Sequence, residues 1–175
     1  MITYLKRLLR PVGRSSAIAA LSAVALAFPA AQSAQAQIVA AGHGTYEALS
    51  APIVLEFTFL VKQTSDGSTQ GMAVWKGPES VTVWNVSSSM QLGDTVLFAG
   101  EIVATLGNPP PGHVVGVTAF TAVKDNGPGF SDETASLSVV PAAFGNPTIQ
   151  EIVAFIGPPP PANFRTLLTG NIYTP

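Results

Sequence analysis

The sequence contains no cysteine. Disulfide staples, thiol nucleophiles and cysteine-bound metals are therefore excluded at the outset. Histidine is nearly missing too, with only His43 and His113. Two histidines far apart in sequence supply too few ligands for a zinc site. No serine stands in a G-x-S-x-G elbow, so a hydrolase triad has neither a placed nucleophile nor a choice of bases. Charge is sparse at 10% of residues. Apolar residues make up 47%, too many for a disordered chain.

The basic residues are unevenly placed. Lys6, Arg7, Arg10 and Arg14 form a positive cluster, Ser15 to Phe28 is an alanine-rich apolar run, and Ala34-Gln35-Ala36 offers small residues at −3 and −1. This pattern predicts a signal peptide over 1–36, cleaved before Gln37. The apolar run is shorter than the roughly 20 residues that span a bilayer, so no stable membrane span is expected in the mature chain. Lys-Arg in place of a twin arginine points to the general secretory route, and hence to the periplasm or the exterior. Without a cysteine there is no lipid attachment site. The mature chain, 37–175, has one domain's length and can bury a core. It keeps four basic against ten acidic residues, a net charge of −6. That balance repels phosphate backbones and argues against nucleic-acid binding.

Period-two alternation dominates the rest. Ile53, Leu55, Phe57, Phe59 and Val61 share one face of a predicted strand over Pro52 to Lys62, and Glu56, Thr58 and Lys62 share the other. Ser65-Asp66-Gly67-Ser68 reads as a turn into a return strand ending at Trp75. Further strands are expected over Ser80 to Val86, Thr95 to Leu106 (with a bend or bulge at Gly100), His113 to Lys124, Thr134 to Val140 and Phe164 to Tyr173. Gln37 to Ala51 reads as a lead-in of small residues. The inner face is expected to hold Ile53, Leu55, Phe57, Phe59, Val96, Phe98, Ile102, Val115 and Val117. EIVATLGNPPP at Glu101 recurs as EIVAFIGPPPP at Glu151, with eight of eleven positions identical. The second copy has Asn146-Pro147 before it, capping-box spacing at Thr148 and Glu151, and Gly157 after it. A short helix is therefore expected near 148–156, with a strand as the alternative. Together these elements predict one all-β domain, an antiparallel β-sandwich or β-roll.

Several segments carry a resemblance. FTFLVKQTSDGSTQG, LFAGEIV, VVGVTAFTAVKDNGPGFSDETASLSV and LLTGNIYT resemble, in order, a family of uncharacterised bacterial exported β-domains that also occur after choice-of-anchor modules in surface proteins. The shared pieces are Phe57 and Phe59, Asp66 to Gly71, Phe98 to Gly100, Asp125 to Asp132, and Gly170 to Ile172. Val140 to Arg165 departs from the pattern as an insertion. The resemblance implies an exported all-β fold and no activity.

Four residues form the sharpest candidate site. Asp125, Asn126, Asp132 and Glu133 offer hard oxygen ligands in one loop, which suits calcium in an exported protein, although the spacing is not that of an EF-hand. The competing reading is a turn held by Asx hydrogen bonds, and it is favoured. Glu56, Glu101 and Glu151 sit in apolar segments and are the weaker candidates for paired carboxylates. Trp75, Trp84, Tyr46 and Tyr173 suggest a sugar platform or, more simply, core packing. The expected function is a non-catalytic exported domain with a structural, surface or matrix partner. The alternative is a small-ligand or carbohydrate-binding β-domain. An eight-stranded outer-membrane barrel is a third reading, disfavoured by the proline tracts and the Tyr173-Thr174-Pro175 end.

Overall fold

A computed structural model of the protein describes residues 36–48 and 52–175. The leader assigned to 1–36 lies outside the described residues apart from Ala36. Ten strands run in order: β1 Gln37–Glu47, β2 Val54–Gln63, β3 Thr69–Lys76, β4 Ser80–Leu92, β5 Thr95–Gly107, β6 Thr118–Lys124, β7 Glu133–Ala135, β8 Ser138–Val139, β9 Phe164–Thr166 and β10 Thr169–Tyr173. Among the described residues one α-helix, α1 at Ile149–Ile156, interrupts them. The domain is all-β, and every strand pair is antiparallel.

All ten strands belong to a single sheet in the order β10-β1-β2-β3-β4-β5-β6-β7-β9, with β8 beside β6. The sheet curls. Its two end strands, β9 and β10, are separated in the chain only by Leu167 and Leu168. Leu167 N donates to Asp132 O on one side, and Leu168 N donates to Thr45 O on the other. The last segment thus belongs to both ends of the sheet and joins them. Of the sandwich and the roll, the fold is the roll.

Alternation places the aromatic side chains inside. Tyr46, Phe57, Phe59, Trp75, Trp84, Phe98, Ile102 and Ile172 share one buried cluster. Rings succeed one another at contact distance, with Phe57 5.1 Å from Trp75 and Trp75 5.0 Å from Trp84. Burying each such side chain contributes roughly 1.5–3 kcal/mol, and this supplies the drive to curl the sheet. A second cluster lies on the outer face, where Ile149 and Ile152 of α1 cover Leu97, Ala99 and Ala122.

Several expectations are corrected. Gln37 to Glu47 is a full strand, paired on both sides. Its small residues are a packing requirement: a Cβ at Gly42 would lie 2.8 Å from the Phe59 ring, and one at Gly44 would overlap the Thr169 carbonyl. Residues 113–117 are not strand. Gly116 takes a positive φ of 88°, and its N–H donates to Ile102 O, so the proline-rich connection runs on to Val117. Val115 is consequently exposed, and so is Ile53, which lies before β2 begins. Phe57, Phe59, Val96, Phe98, Ile102 and Val117 are buried as expected, and Leu55 is partly buried.

The closing strand is broken at Leu167-Leu168, where it changes neighbours. The helix is present with the expected capping box, Thr148 as N-cap and Glu151 at N3, and not with Asn146-Pro147 as N-cap and N1. Asn146 instead accepts from Thr118 Oγ1 at 3.0 Å.

Candidate functional site

The acidic hairpin between β6 and β7 turns out to hold the ends of the sheet together. Asp125 Oδ1 accepts from Gly127 N at 2.8 Å, the expected Asx turn. Asp125 Oδ2 accepts from Thr174 N at 3.2 Å. Asp132 is only 4% exposed. Its Oδ1 accepts from Asn126 N at 3.0 Å, and its Oδ2 accepts from Ile172 N at 2.6 Å. All four carboxylate oxygens therefore accept backbone N–H groups.

The spacing explains why. Ile172 and Thr174 are two residues apart, so their donors point to the same side of an extended chain. β10 pairs with β1 alone, so on its other side no strand partner meets them. The two aspartates supply the missing acceptors. Hydrogen bonds to a charged acceptor contribute about 1.5–3 kcal/mol each.

The side chains of Asn126 and Glu133 complete the loop without reaching those oxygens. Asn126 Nδ2 donates to Ser131 O at 2.8 Å and to Glu133 Oε2 at 3.4 Å. Lys124 Nζ lies 3.3 Å from Asp94 and 3.9 Å from Glu133. Among the described residues, no three His, Cys, Asp or Glu side chains are grouped as metal ligands would be.

The three glutamate candidates stand on separate elements, β2, β5 and α1. Glu56 pairs with Lys76 at 2.9 Å. Glu101 is exposed on β5. Glu151 closes the capping box of α1, where the backbone N–H and then the hydroxyl of Thr148 hold its carboxyl below the usual carboxylate range. His43 lies on β1 opposite Thr58 and Asn171. Both indoles are in the core, and Trp75 Nε1 donates to Tyr46 Oη at 2.8 Å. Burial raises the Tyr46 phenol above its ordinary pKa, opposed by hydrogen bonding from Trp75, Leu137 and Ser136. Tyr173, half exposed on β10, stands apart from them, so no aromatic platform forms.

Two concave features were not legible in the sequence. One is a cavity of about 270 Å³ at the end of the roll, where Ala48 and Ile53 meet the β3–β4 and β5–β6 connections. Its walls include Leu55, Trp75, Thr82, Pro110, His113 and Leu137. The His113 ring lies 3.3 Å from Thr82 Oγ1, and burial lowers its pKa, so the imidazole is neutral at pH 7. The other is an outer groove of about 370 Å³ beside α1, lined by Phe120, Val140, Phe144, Ile152, Phe155 and Ile156 among others. Phe155 was the one available signal for it. In an eight-residue helix whose stripe is Ile149, Ile152, Val153 and Ile156, it falls to the side of the buried face.

No protein-family model matches this chain, and neither a curated protein nor a solved structure matches it.

Proposed function

We propose that the chain is an exported, non-catalytic β-domain with a structural or matrix-facing role, exercised by contact with a partner chain. The observation that carries this reading is the apolar groove outside the roll. Phe155 is 77% exposed and Phe144 is 60% exposed, and the two rings lie 5.8 Å apart. Two large aromatic side chains left in water side by side, over an apolar groove, mark a contact surface. The only charged residue lining the groove is Glu151, in a domain carrying −6 over 37–175. The partner that fits is a segment with apolar side chains and basic flanks.

Export, and kinship with the exported β-domains read from Asp125–Asp132 and Gly170–Ile172, belong to the same proposal. Commitment of the hairpin aspartates to backbone amides and of both indoles to the core supports a non-catalytic reading. It also takes away the main support for a carbohydrate platform. Among the described residues, no helix is long and apolar enough to cross a membrane. The largest aromatic side chains point into the roll, the reverse of what lipid would require.

The test is site-specific photo-cross-linking in exporting cells from position 155, with position 67 in the β2–β3 turn as control. A discrete adduct from 155 alone, weakened by raised salt, is expected. No adduct, or the same adducts from both positions, would end the reading.

A further inference from the structure

We infer that the open end of the roll is a binding site for a small, uncharged molecule with an apolar body and a single hydroxyl or carbonyl head. This site is separate from the outer groove, and the two readings can fail independently.

The curled sheet wraps the aromatic core, and its two edge strands, β9 and β10, are joined through Leu167 and Leu168. At one end the aromatic filling stops short and leaves the cavity of about 270 Å³. Trp75 lines it and is held in place from below. Its Nε1 is bonded to Tyr46 Oη, and its ring packs on Phe57 at 5.1 Å. A fixed aromatic wall with Leu55, Pro110 and Leu137 around it gives a preformed apolar surface. Such cavities with a few convergent polar groups are the usual form of small-molecule sites.

The polar groups here are Thr82, His113, Ser80 and Ser136, all neutral. Thr82 is 3% exposed and His113 is half-buried, and they bond to each other at 3.3 Å. A hydroxyl donates and accepts, so the pair can hand one hydrogen bond to a ligand head on either side. The one formal charge at the rim, Lys76, is already paired with Glu56 at 2.9 Å. An anion entering this cavity would lose its hydration without gaining a free cation, which is why the ligand is neutral. The volume lies just under the roughly 300–1,000 Å³ of drug-sized pockets, which sets the size at a single ring or a short chain.

The experiment titrates the intact domain with 4-fluorobenzyl alcohol, followed by fluorine line width and by amide and indole shifts. Saturable binding with a dissociation constant of about 1 mM or below is expected. The shifts should centre on the Trp75 indole N–H, Thr82 and His113. The anionic analogue 4-fluorobenzoate should bind about tenfold or more weakly. Ile53→Trp, placed at the mouth on an exposed residue, should cut alcohol binding by about tenfold with melting temperature retained. Phe155→Ser in the outer groove should leave it unchanged. Since the shift map is read on the unmodified domain, the proposal stays falsifiable even where the variant fails to fold. Absence of saturation, shifts centred on Phe144 and Phe155, equal binding of the benzoate, or full binding by a folded Ile53→Trp would each overturn it.

Discussion

At the scale of single residues, close backbone approach does as much as burial to fix this fold. Gly100 faces the β4 bulge, where the register slips between Val86 and Ser88. A Cβ at Gly100 would run into the Asn85 carbonyl, which belongs to the neighbouring strand and cannot swing away as a side chain could. Gly100→Ala must therefore push β4 and β5 apart at the centre of the sheet. The expected result in urea unfolding is a loss of about 3 kcal/mol or more, or failure to fold. A glycine inside a strand pattern predicts a bend or bulge, and the bulge is there, on the partner strand. The glycines of β1 do not announce themselves as strand residues, because what they fit against, the Phe59 ring and the Thr169 carbonyl, comes from far along the chain.

At the scale of elements, the two EIVA copies make the plainest case. Glu101 to Ala104 is strand in β5, and Glu151 to Ala154 is helix in α1. The same four residues take the form their neighbours dictate. In β5 the run pairs with β4, and on the other side Glu101 pairs with Thr118 and Ile102 bonds to Gly116 and Val117. In α1, Thr148 caps the first turn and Gly157 ends it at a φ of 78°. The helix is seated by Ile149 N on Ser88 Oγ at 2.9 Å and by Gln150 Nε2 on Ser89 O at 2.8 Å. Capping chemistry is local and legible in the sequence; the seat on β4 is neither. Thr148→Ala should cost about 1 kcal/mol in thermal or urea unfolding.

Acid should weaken the same cap. The Glu151 carboxyl sits below its unfolded value, so its contribution is complete above that value and is lost as pH falls through the folded one. Followed by the Thr148 amide shift, the helix start should loosen on acidification below about pH 4, and Glu151→Gln should abolish that transition. A Thr148 amide indifferent to pH in the unmodified domain would contradict the cap.

At the scale of the whole molecule, the question is what keeps a curled sheet closed. Period-two alternation in β2 and β5 made the all-β class and most of the core legible. Curling was not legible, because it depends on one C-terminal segment finding both ends of the sheet. The candidate site was half legible: the Asx turn at Asp125 is local, whereas the bonds to Ile172 and Thr174 cross 40 and 49 residues. Since all four oxygens of Asp125 and Asp132 already accept amides, millimolar calcium against chelator should leave the melting temperature where it is. A rise with calcium would reinstate the metal reading for Asp125, Asn126, Asp132 and Glu133.

Closure by the acidic hairpin is tested most directly by amide hydrogen exchange on Asp132→Asn beside the unmodified domain. The substitution keeps the size of the side chain, removes its charge, and turns one acceptor into a donor facing either Ile172 N or Asn126 N. The account predicts a loss of about 1–3 kcal/mol overall. Beyond that global change, it predicts a selective fall in protection of about tenfold or more at Ile172 and along Thr169 to Thr174, with β4 and β5 amides tracking only the global loss. Protection at Ile172 that changes no more than that of β4 and β5 would show that the sheet closes without this hairpin, and would contradict the account.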